Sequence, residues 1–181
     1  LGIARRLENG VLKRVHPCMV PNNAAINNVS GVFNGIEVGG DFIDTLIYEG
    51  RGAGAGPTAS AIVADVIDIA RGSIVPVFGV SAKTLKAAER LDMGQYIGSY
   101  YVRLTVVDRP GVFADIAAIL RDNQISMETI VQRGRSPGEP VSVVMTLHES
   151  CEFQVKLMLE SIADLETVLE TPRMIRIETL T

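Results

Sequence analysis

Tryptophan is absent from this chain of 181 residues, and aromatic residues supply only 5% of it. Any core must therefore be built mainly from aliphatic side chains. Cysteine occurs only at Cys18 and Cys151, far apart and without CxxC spacing. That excludes a disulfide scaffold and a thiolate zinc site, and it fits packed thiols in a reducing cytoplasm. The two histidines, His16 beside Pro17 and His148, have no second histidine at metal spacing and read as structural or surface groups. No metal site is expected. Basic residues are outnumbered, 17 against 21 acidic, for a formal charge of −4, and the isoelectric point is near 5.2. A general nucleic-acid binder would carry a basic face instead. The longest uncharged run, Cys18 to Ile36, holds five asparagines and a proline, which hydrocarbon would not accept, so no membrane partner is expected. No signal-peptide pattern, Ser-His-Asp or Cys-His arrangement, or P-loop lysine occurs, so no complete set of catalytic residues can be assembled.

What is present is a globular composition, 47% hydrophobic and 21% charged. The length allows one large domain or two small ones. A mean hydropathy of +0.25 is high for a soluble monomer, and subunit contact is one use for the surplus. The chain opens on Leu1 rather than Met, which suggests a piece of a longer protein.

The first half centres on the run Tyr48-Glu49-Gly50-Arg51-Gly52-Ala53-Gly54-Ala55-Gly56-Pro57. Before it, Val11–Val20 reads as extended and Asn22–Ser30 as a short helix. A strand at Gly31–Val38, a turn at Gly39-Gly40 and a partner strand at Phe42–Tyr48 should follow. After the glycines, Ile62, Val63, Val66, Ile67 and Ala70 recur at helical spacing, predicting a helix over Thr58–Arg71 opened by Pro57. A strand, a glycine loop and a helix N-terminus expose backbone N–H groups that suit a phosphate. A plain tight turn explains the same residues, and the spacing is not G-x-G-x-x-G. Residues 72–98 read as a linker that packs partly on its neighbours, with a short helical patch around Lys83–Leu91.

After Ser99 the pattern becomes regular. Val102, Leu104 and Val106 alternate as a half-buried strand, and Val112, Phe113, Ile116, Ile119 and Leu120 form a helical stripe. Ile125, Met127, Thr129 and Val131 alternate again, and Arg133–Pro140 is a loop. Val141, Val143, Met145 and Leu147 form a third strand. Val155, Met158, Leu159, Ile162 and Leu165 sit at helical spacing, and Ile175 and Ile177 close a fourth strand. The order is βαββαβ, a ferredoxin-like arrangement with an edge open to pairing, so dimerisation is expected. Within it, Asp108-Arg109-Pro110-Gly111-Val112-Phe113 joins a strand to a helix. Its N–H groups at Gly111, Val112 and Phe113 would suit a carboxylate, and Asp108 an ammonium, as in a free amino acid. A capping role for Asp108 is the alternative. The acidic set Glu149, Glu152, Glu160, Asp164, Glu166 and Glu170 reads as a solvated helix face and its ends.

Taken together, Leu1–Arg6, Arg14-Val15-His16-Pro17-Cys18-Met19-Val20-Pro21, Gly31–Asn34 and the run GRGAGAGPTASAIVAD resemble the C-terminal part of the catalytic domain of the homoserine dehydrogenase family. The segments DRPGVFADIAAIL and ISMETIVQ resemble the ACT domain appended to longer members. The resemblance implies an α+β chain: a partial mixed α/β catalytic remnant over 1–71, a linker over 72–98 and a ferredoxin-like ACT domain over 99–181. It further implies NAD(P)-dependent interconversion of L-homoserine and L-aspartate 4-semialdehyde by the parent protein. The catalytic lysine and acidic residues would lie upstream, leaving this chain inactive alone. Gly52 and Gly54 would approach the NADP or NAD cofactor. The ACT half implies amino-acid feedback, threonine foremost, with the effector near Asp108, Gly111, Val112 and Phe113 and near Asn123, Ile125 and Ser126. A cytoplasmic homo-oligomer paired through ACT domains is implied as well. A free-standing amino-acid sensor or dimerisation module is the alternative, although it leaves the first seventy residues unexplained.

Overall fold

The computed structural model describes residues 1–73, 75–134 and 136–180. The chain opens with an antiparallel hairpin of β1 (Gly2–Leu7) and β2 (Gly10–Val15), followed by the two-residue strand β3 (Cys18–Met19). A 3-10 turn at Ala25–Asn28 precedes a second hairpin, β4 (Phe33–Gly40) and β5 (Asp44–Arg51), and the helix α1 (Ala55–Ala70). Then come β6 (Ile97–Val107), α2 (Val112–Asp122), β7 (Met127–Gln132), β8 (Pro140–Cys151), α3 (Glu152–Ala163) and β9 (Arg173–Ile177). The fold class is α+β, as the sequence pattern implies.

Contacts divide the chain into two compact units, and the division differs from boundaries at 71 and 98. One unit joins residues 1–20 to the chain from Ala88 onward; the other is Pro21–Ala87. In the first unit β9, β6, β8 and β7 lie side by side and antiparallel, the arrangement expected of βαββαβ connectivity. A fifth strand is added that periodicity did not suggest. β3 runs parallel to β9, with Cys18 opposite Arg176 and Met19 opposite Ile177, and the Glu178 amide donates to Met19 O at 2.9 Å. One sheet edge is thus covered, and β7 remains at the other.

The core lies in this unit. Val102, Leu104 and Val106 from β6 and Val143, Met145 and Leu147 from β8 present one buried face, since alternate residues of a strand point the same way. Val112, Ile116 and Leu120 of α2 and Val155, Met158 and Ile162 of α3 cover that face at helical spacing. Phe113, expected in the α2 stripe, is 42% exposed. The hairpin contributes Leu12 to the same core, and Tyr96 joins it just ahead of β6.

In the second unit none of the described residues is buried. The strand β4 continues through Gly39 and Gly40, so the turn is Asp41–Ile43, with Asp44 at positive φ. Aspartate tolerates that region, which moves the turn off the glycine pair. The helix α1 begins three residues ahead of the predicted start, so Pro57 sits inside the first turn rather than opening it. Its Ile62, Val63, Val66, Ile67 and Ile69 are 43–70% exposed.

The helical patch predicted at Lys83–Leu91 is a single 3-10 turn, Ala82–Thr84, anchored by Ser81. Beyond it the chain is extended. The Val11 amide donates to Glu89 O at 3.3 Å, and Arg90 bridges Val11. Pairing with the hairpin and burial of Leu91 and Met93 against the core outweigh local helix propensity.

Candidate functional site

At the junction of β6 and α2 a cavity of about 360 Å³ is lined by Asp108, Arg109, Pro110, Gly111, Phe113 and residues adjoining them. Gly111 is the N-cap of α2 at φ 98, a left-handed conformation that a residue with a Cβ adopts only with strain. The Ala114 and Asp115 amides both donate to Gly111 O, at 2.9 and 3.1 Å. Val112 and Phe113 stand ahead of them in the first turn, where helix amides lack intrahelical acceptors. Phe113 lines the cavity while Val112 is buried in the core. The lining therefore offers backbone donors, one carboxylate and an apolar wall, which suits binding rather than bond breaking.

Asp108 is not the N-cap of α2, which is Gly111, and among the described residues its carboxylate takes no bond from that helix's amides. Its carboxylate instead accepts from the Ser136 amide at 2.7 Å and from Gln132 Nε2 at 3.3 Å. Backbone bonds from Gly138 to Asp108 O and from Asp108 to Glu139 O complete the seam. A ligand ammonium would have to share those carboxylate oxygens. Sequence reading missed Gln132 and Ser136; the turn-rich stretch Arg133–Pro140 was the available signal, but nothing local says which carboxylate it closes on.

Asn123, Ile125 and Ser126 lie at the far end of α2, an 11-residue helix and so about 16 Å long. Asn123 Nδ2 donates to Ile119 O and ends the helix, Ile125 is buried, and Ser126 O accepts from the His148 amide. One chain does not bring this group to the Asp108 cavity.

The glycine loop has the predicted setting, between the end of β5 and the start of α1. Gly54 is the N-cap, and Gly52 donates to Val32 O at 3.1 Å. A Cβ on Gly52 would run into the Asn34 amide group, so the absence of a side chain there serves packing within this chain. The guanidinium of Arg51 lies over the Phe33 ring at 5.3 Å. The loop offers free backbone amides on one side only, so a dinucleotide would need the rest of its cradle from other residues.

Two buried ion pairs escaped the sequence reading. Glu152, assigned there to a solvated face, is 0% exposed. Arg176 Nε and Nη2 grip it at 2.7 and 2.6 Å, and Lys156 Nζ lies at 2.9 Å. Burial pushes this carboxyl up, but hydrogen bonds from Arg176 and Lys156 prevail and hold it below its usual 4.5. The same pair raises Arg176. The unfolded chain then binds the Glu152 proton more readily than the folded one. This stability is complete above pH 4.5 and drains as pH falls through the lower folded value. Denaturant titrations near neutrality and in acid should show the loss, with a shallower acid slope in Glu152→Gln. Equal slopes would refute it. Nearby Tyr100 is fully buried with no partner for its hydroxyl among the described residues, and burial first, then Glu152, raises its pKa.

The second pair joins Arg14 of β2 to Glu178 at 2.6 Å, with side chains 4% and 8% exposed. The Tyr96 hydroxyl donates to the same carboxylate at 3.4 Å, and the Arg14 guanidinium lies 4.1 Å from the Tyr96 ring centre. His16 Nε2 is 3.7 Å from Glu178. Both cysteines are free, and Cys151 donates to Gly94 O. Among the described residues no cluster of three potential metal ligands occurs, and no helix is long and apolar enough to cross a membrane.

The βαββαβ unit with its strand-to-helix cavity defines the class: residues 100–167 match the ACT domain. Residues 2–67 match homoserine dehydrogenase. Homoserine dehydrogenase from Neisseria gonorrhoeae is 36% identical over 99% of this chain and 43% of its own length. The Helicobacter pylori homoserine dehydrogenase is 38% identical over 98% and 42%. The crystal structure of a homoserine dehydrogenase from Thiobacillus denitrificans superposes with a TM-score of 0.87 at 38% identity, covering 99% of this chain and 42% of that one. The chain thus spans about two fifths of the length of the relatives it matches.

Proposed function

We propose that this chain is the C-terminal part of an NAD(P)-dependent homoserine dehydrogenase that interconverts L-homoserine and L-aspartate 4-semialdehyde on the route to threonine and methionine. In this reading the chain carries that enzyme's amino-acid-sensing module. The observation that carries it is the occurrence of both family matches, in this order, within one chain. The general acid and base and most of the cofactor site lie outside residues 1–181, and Gly52 and Gly54 add backbone contacts to NADP or NAD. The whole enzyme works in the cytoplasm as a homo-oligomer paired through ACT domains.

The effector is a small amino acid, threonine foremost. Its carboxylate meets the first-turn amides of α2 beside Gly111, and Asp108 shares an oxygen with its ammonium. The Asn123–Ser126 group comes from the paired chain, since both ends of one α2 cannot reach a single small ligand. Binding across that pair biases its packing; allosteric couplings of this kind are about 1–3 kcal/mol.

Calorimetry of the 181-residue chain with threonine, methionine, isoleucine and homoserine tests the module. One of them should bind, and Asp108→Ala should weaken it by about tenfold or more, as loss of a charged hydrogen bond implies. If none binds even at millimolar levels, the regulatory reading fails. The same preparation should oxidise no homoserine with NADP or NAD; measurable turnover would refute the assignment of the catalytic groups to other parts of the enzyme.

A further inference from the structure

Glu152 is gripped by Arg176 and Lys156, and Glu178 by Arg14, so each of these carboxylates is paired with a cation. Asp108 is held differently. Its two bonds come from neutral groups, the Ser136 amide at 2.7 Å on Oδ2 and Gln132 Nε2 at 3.3 Å on Oδ1. Among the described residues no ion pair to Asp108 occurs.

The sheet brings the glutamine to this place. Gln132 ends β7 and stands opposite Val143 of β8, which lies on the buried face that α2 covers. Residues opposite one another on neighbouring strands point the same way, so the Gln132 side chain leaves the sheet on the helix side. Its amide nitrogen also donates to Gly134 O at 3.4 Å. Carboxylate and carbonyl oxygens only accept, so both N–H bonds of the side chain are used and its orientation is fixed.

We propose that Gln132 is a positioning residue of the Asp108 cavity: it orients the carboxylate without neutralising it, and so reserves that charge for the ammonium of a ligand. A lysine at the same position would make the same bond, but as an internal substitute for the ligand's own cation. The inference rests on the effector reading of this cavity and names the residue that sets its preference for an ammonium.

The test is calorimetry of the 181-residue chain, Gln132→Met and Gln132→Lys with threonine, methionine, isoleucine and homoserine. Gln132→Met gives up the bond to Asp108 and should weaken binding by about threefold, because the shorter Ser136 bond remains. Gln132→Lys can regain that bond, yet should weaken binding by about tenfold or more beyond Gln132→Met, since its ammonium occupies the charge. A role in packing, or in merely holding Asp108, predicts the opposite order. In urea the lysine variant should be at least as stable as Gln132→Met. Gln132→Arg carries the same test if the lysine variant does not fold. The proposal is overturned if the cationic variant binds as tightly as Gln132→Met, if Gln132→Met abolishes binding as fully, or if the cationic variant is the less stable. Any of these results leaves the effector reading standing. If the unaltered chain binds none of the four amino acids, that reading fails and this inference with it.

Discussion

Arg176→Met is expected to destabilise the unit that contains the β6–β9 sheet by about 3 kcal/mol, the lower end of the range for breaking a buried pair. Glu152 would keep its charge at 0% exposure after losing two hydrogen bonds. Lys156 at 2.9 Å is the remaining partner, but its side chain is 53% exposed. It offsets part of the loss and no more. The partner control is Lys156→Met, expected to cost less than about 1 kcal/mol because exposed ion pairs contribute little. Urea unfolding of the two variants separates the contributions. Equal destabilisation would mean that the Arg176 grip is not what stabilises Glu152. The asymmetry follows from position: β9 brings Arg176 to the start of α3, whereas Lys156 is one helical turn along α3 itself.

The second large effect is a contrast between the two units. Leu104→Ala, at a position 1% exposed, should cost about 2–5 kcal/mol, the transfer and cavity terms of a buried leucine. Ile69→Ala, at a position 70% exposed on α1, should cost less than about 1 kcal/mol in this chain, since few of its atoms leave water on folding. Thermal and urea unfolding of both variants make the comparison. A large loss from Ile69→Ala would mean that α1 packs against a surface in solution, and the description of Pro21–Ala87 as a unit without a buried core would fall.

The elements that were legible in the sequence are those whose burial has a short period. Alternation along Val102, Leu104 and Val106 and the stripe Val112, Ile116 and Leu120 each report a single buried face, and both lie where the pattern puts them. The glycine loop was legible as a strand-to-helix turn for a similar local reason. What was not legible depends on partners far along the chain. The strand β3 has two residues, too few for any period, and exists because β9 offers an edge more than 150 positions later. Glu152 looks solvated in a run of acidic residues until Arg176 is placed opposite it. Asp108 reads as a ligand group or a helix cap, and its observed partners, Gln132 at the end of β7 and Ser136 in the loop after it, have no recognisable spacing to it. The stretch Lys83–Leu91 went wrong in the opposite direction. Its helix-forming residues are recruited into extended pairing with Val11.

The parallel pairing of Cys18 with Arg176 and Met19 with Ile177 bears on how the half that matches the ACT domain can be isolated. A recombinant piece beginning where the ACT match begins, at residue 100, would keep the helices and four strands but strip the flank from β9. It would also leave the Glu178 carboxylate without its guanidinium, and the bared backbone amides would invite self-association. Grafting the first twenty residues back ahead of Ala88 restores both partners, and that spliced polypeptide is the smaller unit to prepare for solution work.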